Sequence, residues 1–567
     1  MDKISKLRKF FQEHNIDAYL VPSSDEFQNE YVPKHKSRLK CLTGFTGSNG
    51  LALITRDKKI FFTDGRYLLQ AKNELDADFE VIEYTQSNLK NVLNDTPLII
   101  GFDPKLHTIN QVERFSSLST KCKFVAIEKN LVDLVSNADV DSPKATSNIF
   151  IHNIKYTGQD TEYKRKYLKQ DNVDALIITA PDSICWLLNL RGNAVEFTPF
   201  FLGFLIAYKD GNIDLFLEYI PDQEIITYLK KYRVKVKPIS DLPVELKKLA
   251  NLKVQTSPSS PYWFKQLVPH VSLAADPCQL PKAIKNTEEI NGAIEAHLCD
   301  GAALTEFLCW LEQSDNETEL SVSEKLLEYR KQQPDFVYPS FTTIAGFAEN
   351  GAIIHYQPTP KTYKTIAGNN LLLLDSGGQY YGGTTDVTRV IAIGEPTAEQ
   401  IHNFTLVLKG HIALSSAKFV IGTNGAQLDV LARLPLWKES KDYAHGTGHG
   451  VGSFLSVHEG PQRISKFGEA DLQEGMIVSI EPGYYKENAY GIRIENLVLV
   501  KKSSPGFLCF TPLTKVFLEP KLIDFENLTI SERQWLKDYH QDIVEAIGSR
   551  LTLSTKIWLD NKIKPFA

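Results

Sequence analysis

Two stretches of this chain place an acid where a buried strand should stay apolar. In NNLLLLDSGGQYYGGTTDVTRVIAI (369–393), the leucine run 371–374 reads as a buried strand and ends in Asp375. Glycine-rich turns follow, and a second strand over 384–393 carries Asp386. In EGMIVSIEPGYYKENAYGIRIENLVLV (474–500), an apolar strand ends in Glu481, a Gly/Tyr-rich turn follows, and a second strand carries Glu495. Alternation along that strand puts Ile492 and Ile494 on one face and Arg493 and Glu495 on the other. Both stretches share one plan of strand, acid, Tyr-Tyr turn, strand, acid. That repetition implies an internal two-fold in this part of the fold.

A single acid at a strand end is ordinarily a solvated or capping residue. Four acids in two matched hairpins are expected to converge. Two like charges about 4 Å apart repel by about 4 kcal/mol at an effective dielectric near 20. Positive charge must therefore sit among them, and two divalent cations would neutralise four carboxylates. The stretch YAHGTGHGVGSFLSVHEGP (443–461) adds His445, His449 and His458 among five glycines. The i, i+4 spacing of His445 and His449 is not a helical zinc motif, because a helix there would carry several glycines at about 1 kcal/mol each against alanine. Nor does a Lys-Ser/Thr follow, as a phosphate loop requires. An irregular or extended segment remains, whose glycines let a ring approach closely. One imidazole added to four carboxylates makes an oxygen-rich, two-metal set. Such a set favours manganese, with cobalt or zinc able to substitute. No Ser or Cys nucleophile motif stands out, so water activated by metal is the simplest nucleophile.

With 567 residues the chain exceeds one core, and two to four domains are expected. Two segments near the front look alike. Each opens on Asn-x-Asp-Ala (Asn15–Ala18 and Asn172–Ala175) and leads into an apolar strand. A duplicated α/β domain follows from this, with helical patterns (ISKLRKFFQEH, TEYKRKYLKQ) before both strands. The polar stretch 132–148 reads as a linker, and Pro277 and Pro281 mark a second join. Asn286 and Glu289 form the pattern of a capping box opening a long helix, and Thr529 and Glu532 open a tail helix. That tail packs on its own domain or forms a dimer contact. The net charge of −6, with no Lys/Arg run, argues against nucleic acid as a partner. Seven scattered cysteines without a C-x-x-C pair suit reduced thiols in a cytosol. The N-terminus lacks the apolar run of a signal peptide, and the greasiest segment (197–208) is too short to cross a bilayer.

These residues resemble the pita-bread metallopeptidases, which include methionine aminopeptidase, prolidase and Xaa-Pro aminopeptidase. HGTGHGVGSFLSVHEGP, DSGGQYYGGTTDVTR, EPGYYKENAYGIRIEN, GAIIHY and FFTDGRY are similar to the long, three-domain cytosolic Xaa-Pro aminopeptidases, and the likeness covers essentially the whole chain. The resemblance implies an α/β (α+β) architecture with creatinase-like domains at 1–150 and 151–283. A pita-bread catalytic domain at 284–507 and a C-terminal extension at 508–567 complete it. It implies that Asp375 binds one metal, that His449 and Glu481 bind the other, and that Asp386 and Glu495 bridge them. Glu481 would also orient the attacking water and accept its proton. His355 and His458 would contact the substrate and help handle the scissile carbonyl and the proline. His445 would line the substrate pocket, Arg493 would pin the carboxylates, and Arg66 would reach toward the substrate. The implied activity removes an N-terminal residue that precedes proline, in a cytoplasmic homodimer acting on peptides. Prolidase activity on Xaa-Pro dipeptides and a non-catalytic peptide-binding protein are the alternatives. Creatinase-type enzymes lack the full ligand set. The segment upstream of His355, FTTIAGFAENGAIIHY, is looser than the resemblance implies.

Overall fold

The computed structural model describes residues 2–136 and 148–566. It separates into two compact units: Met1–His152 with Gln159–Cys278, and Asn153–Gly158 with Gln279–Ala567.

The first unit holds two six-stranded sheets built to one plan. The strand order of the first is Phe79–Glu83, Lys59–Thr63, Leu51–Thr55, Ala18–Pro22, Ile99–Phe102, Lys123–Ala126. The second runs Val234–Pro238, Ile213–Leu217, Gly203–Tyr208, Ala175–Ile178, Val254–Thr256, Ser272–Leu273. In both, the three inner strands of the first half pair antiparallel and the remaining pairs are parallel. The likeness extends to single bonds. Asn15 and Asn172 both take positive φ, 52° and 60°, in the left-handed region that asparagine tolerates. Asp17 and Asp174 then accept the backbone N–H of Ile99 and Lys253 through their side chains, at 2.9 and 3.0 Å. The apolar segment at 197–208 supplies the buried strand Gly203–Tyr208 of the second sheet.

The first sheet shows why such strands are apolar throughout. Tyr19, Val21, Ala52, Ile54 and Phe61 pack with Leu7 and Phe11 of helix Lys3–Glu13. Their neighbours Ala18, Leu20, Leu51, Leu53, Ile60 and Phe62 pack with Leu89, Leu93, Val112 and Phe115 on the other face. Alternate side chains thus meet helices on both sides.

Two expectations need correction. Within the proposed linker 132–148, Leu131–Val135 is helical because the Asn130 side chain accepts the N–H groups of Val132 and Asp133; residues 137–147 lie outside the described residues. TEYKRKYLKQ gives only one α turn, Thr161–Lys164, followed by a 3₁₀ turn. Lys164 is buried there, donating to the Trp186 carbonyl and to Asn189 Oδ1.

In the second unit the capping box at Asn286 and Glu289 opens helix Thr287–Glu312, and the box at Thr529 and Glu532 opens helix Ile530–Ile547. The tail helix buries Leu536, Tyr539, Ile543 and Ile547 in the core of its own unit. Strand Asn370–Ser376 lies between Ile344–Phe347 and Val387–Ile393 in one sheet. Strands Ile477–Ile480 and Asn496–Ser504 pair in another, next to Gly448–Gly450. All seven cysteines are free thiols, and no helix among the described residues is long and apolar enough to cross a membrane.

Both units carry a core histidine kept neutral. Burial pushes His107 and His297 down to about 4, and His297 Nδ1–H donates to the Ala293 carbonyl. Each folded-state value lies below the unfolded value near 6.5, so this stability is present above about pH 6.5 and is lost as pH falls toward 4. The limit is on the order of 3 kcal/mol per histidine. Denaturant midpoints at pH 7.5, 6 and 5 should fall in that order; equal midpoints would refute the neutral assignment.

Candidate metal centre

The two matched hairpins bring their four acids together. Asp375 is the last residue but one of its strand, opposite Thr388 and Ile344. Asp386 stands just before Val387–Ile393, Glu481 just after Ile477–Ile480, and Glu495 just before Asn496–Ser504. Each acid therefore sits where a buried ladder stops, with its carboxylate free to turn inward. His449 comes from the short strand Gly448–Gly450 beside them. The glycines around it are required by space. A Cβ on Gly448 would lie 1.9 Å from the Ser479 carbonyl, and one on Gly450 would lie 2.4 Å from the Gln462 side chain.

Ligand atoms of Asp375, Asp386 and Glu495 lie within 4.8 Å of one another, as do those of His449, Glu481 and Glu495, and those of Asp386, His449 and His458. His449 Nε2 stands 3.5 Å from both Asp386 and Glu481. Its Nδ1–H donates to the Gly450 carbonyl at 2.9 Å, which leaves Nε2 aimed at the acids. Asp375 Oδ1 and Glu495 Oε1 are buried and have no hydrogen-bond partner among the described residues. Buried carboxylate oxygens are ordinarily satisfied, so these two are the oxygens in the cluster best suited to accept a cation.

The electrostatics agree. Burial, helped by Asp375, raises Asp386 to about 6. Burial and the charges of Asp386, Glu481 and Asp375 raise Glu495 well above the carboxylate range. Burial alone would depress His449, but Asp386 and Glu481 outweigh it and lift it to about 9. Every shift in the cluster reports a surplus of negative charge taken out of water.

Arg493 is the cation that reaches this surplus. Its buried guanidinium donates to Asp375 Oδ2 at 2.6 Å, to the Thr388 hydroxyl at 3.1 Å, to the Tyr485 hydroxyl at 2.6 Å and to the Ile354 carbonyl at 3.4 Å. The Thr388 hydroxyl in turn donates to Glu495 Oε2 at 2.7 Å. Tyr485 carries no role in the sequence reading, although its Tyr-Tyr turn stood out. Its oxygen accepts from Arg493 and lies 2.9 Å from His445 Nε2. His445 Nδ1 lies 2.7 Å from the Gly446 carbonyl, so the ring is held at both nitrogens, by that carbonyl and by Tyr485. His445 Nδ1 is also 4.0 Å from Glu481.

His458 meets His449 ring to ring, 4.4 Å between centroids and nearly perpendicular. His355 follows the turn Ala348–Ala352 and is joined to the centre through the Ile354 carbonyl, which accepts from Arg493. Arg66 belongs to the first unit, where it pairs with Asp64 at 2.8 Å and lies over the Tyr67 ring.

A buried ion cluster next to His458 was not legible in the sequence. Glu459 takes Lys282 at 2.6 Å and Lys285 at 2.5 Å, and all three side chains are shut off from solvent. Removing the carboxylate leaves buried ammonium groups without their partner, a loss of about 3–5 kcal/mol. Glu459→Gln should therefore lower the unfolding midpoint sharply; an unchanged melting curve would show the cluster to be dispensable.

Comparison with known proteins accounts for the whole chain. The model described as metallopeptidase family M24 matches residues 292–502, and the creatinase/prolidase N-terminal domain matches twice, at 3–134 and 141–289. The C-terminal region of peptidase M24 matches 506–566. A probable Xaa-Pro aminopeptidase P of Sordaria macrospora is 37% identical, covering 100% of this chain and 99% of the relative. Xaa-Pro aminopeptidase 1 of Dictyostelium discoideum is 38% identical over 99% of this chain and 96% of its own. A solved X-prolyl aminopeptidase of Caenorhabditis elegans, described as a cytosolic enzyme with a di-nuclear active site, superposes with a TM-score of 0.94 at 32% identity, covering 99% of both chains. With full-length relatives this alike, and with the family model falling on the segment that carries the converging acids and imidazoles, the chain belongs to metallopeptidase family M24, with two creatinase/prolidase N-terminal domains before the pita-bread domain.

Proposed function

We propose that the protein is an Xaa-Pro aminopeptidase that works with two divalent cations held by Asp375, Asp386, His449, Glu481 and Glu495. The observation that carries this reading is the orphaned pair, Asp375 Oδ1 and Glu495 Oε1, buried within a cluster of acids and one imidazole. Two of the triads share Glu495 and the third brings Asp386 beside His449, so Asp375 would hold one ion, His449 and Glu481 would hold the other, and Asp386 and Glu495 would serve both. When bound, the cations supply the charge that balances the carboxylates, polarises a carbonyl and acidifies water. Four carboxylates and one imidazole favour manganese, with cobalt or zinc as substitutes.

The chain's own residues do the rest. Glu481 accepts the proton of the attacking water. The Gly450 carbonyl holds His449 in the tautomer that presents Nε2. His355 and His458 hold the peptide at the scissile carbonyl and the proline, and the proton that Glu481 took from water passes to the departing proline nitrogen. That nitrogen is a tertiary amide with no N–H, which general peptidases reject. His445, held by Tyr485, walls the pocket.

In this reading the front domains are 1–150 and 151–283, the catalytic domain is 284–507 and the extension is 508–567. Seven free thiols suit a reducing cytoplasm. Exposed Val430, Leu434 and Trp437 form one apolar stripe on helix Gly425–Trp437 and suit a homodimer.

The test incubates metal-stripped protein, with and without Mn²⁺, with Xaa-Pro-Yaa peptides and Xaa-Pro dipeptides. Mn²⁺-dependent release of Xaa from the longer peptides is expected. Cleavage of dipeptides alone would mean prolidase activity, and cleavage of neither would mean a peptide-binding protein.

A further inference from the structure

We infer that Arg389 is a positioning residue through which the C-terminal extension sets the metal affinity of Glu495. The inference rests on the proposed two-cation centre. Arg389 follows Thr388, the residue whose hydroxyl binds Glu495 Oε2. Its buried guanidinium reaches six acceptors. Two lie at the centre: the carbonyls of Thr388 and Glu495, at 2.8 and 2.6 Å. A third is Asn496 Oδ1 at 2.8 Å. The other three belong to the extension: the carbonyls of Phe517 and Val516, at 2.9 and 2.7 Å, and the Tyr539 hydroxyl at 2.9 Å.

The extension is itself fixed where it meets this arginine. His540 Nδ1–H donates to the Leu536 carbonyl, and Nε2 accepts the Leu518 N–H at 3.1 Å. Tyr539 also donates toward the Val516 carbonyl at 2.9 Å. Helix Ile530–Ile547 thus holds segment 516–518, segment 516–518 holds Arg389, and Arg389 holds the backbone of Glu495. Among the described residues, no extension side chain hydrogen-bonds or ion-pairs with Asp375, Asp386, His449, Glu481 or Glu495. The extension residues act by fixing the Glu495 carbonyl, and with it the backbone that carries the Glu495 side chain, and so the direction of its unpartnered Oε1. A lysine keeps the charge but has three donors on one flexible point, so it cannot span six acceptors in a planar fork.

The experiment uses the full-length protein. Wild type, Arg389→Lys and Tyr539→Phe are stripped, then titrated with Mn²⁺ against a competing chelator. Bound-metal stoichiometry, kcat and KM for an Xaa-Pro-Yaa peptide, and the unfolding midpoint of the metal-free protein are read in parallel. Arg389→Lys should weaken Mn²⁺ binding tenfold or more, with KM unchanged and kcat recovered by excess Mn²⁺. Tyr539→Phe, which removes one acceptor and keeps the guanidinium, should weaken it about threefold and fold normally. Lower midpoints with wild-type Mn²⁺ affinity in both variants would overturn the inference and leave the two-cation reading standing. Wild type that holds no Mn²⁺ would overturn both.

Discussion

Glu481→Gln should lower kcat on Xaa-Pro-Yaa peptides by a factor of about 10²–10⁴, the usual loss for a general base, while the protein stays folded. The geometry separates the two effects. Glu481 is fixed by its backbone, whose N–H donates to the Thr447 carbonyl at 2.8 Å. Its side chain accepts a 3.2 Å bond from Ser479 and stands 3.5 Å from His449 Nε2 and 4.0 Å from His445 Nδ1. An amide fits the same space and removes a like charge from a crowded set of acids. The unfolding midpoint of the metal-free variant should therefore equal or exceed that of metal-free wild type. Turnover within threefold of wild type would remove Glu481 from its assigned role, whatever the midpoint.

Stripping the cations should have a comparable effect on rate and an opposite one on stability. Activity should fall to background on chelation and return with Mn²⁺. Ligand binding to the folded state alone adds about 2.7 kcal/mol at a hundredfold excess over Kd and about 4 at a thousandfold. Loading should therefore raise the unfolding midpoint in proportion to the logarithm of free Mn²⁺. The same titration on Asp386→Asn should show a shallower rise, because one carboxylate is gone from two of the three triads. A midpoint indifferent to Mn²⁺ in wild type would mean that the acids do not hold an ion.

The parts of this centre that were legible in the sequence are those announced by local contrast. A leucine run that stops at Asp375, and an isoleucine that stops at Glu481, break a pattern that strands otherwise keep. The glycines at 448 and 450 announced a close approach, and the Cβ positions show the carbonyl and amide that would be struck. The repeated Asn-x-Asp-Ala step likewise marked two sheets that match strand for strand.

What stayed hidden is held by partners far along the chain. Arg389 in TTDVTRV looks like any strand arginine until residues 495, 496, 516, 517 and 539 supply its acceptors. Lys282 and Lys285 resemble a solvated pair until Glu459, more than 170 residues later, removes them from water. Tyr485 belonged to a turn that drew notice for its shape, yet its tie to His445 and Arg493 depends on three separate strands and loops meeting.

The distance in sequence between Asp375 and Tyr539 also orders events during biosynthesis. A nascent polypeptide emerging from the ribosome presents Asp375 and Asp386 long before Glu495, and Glu495 before the helix that braces it. The five proposed ligands can therefore meet only after Glu495 has been made, and the brace on its backbone comes later still.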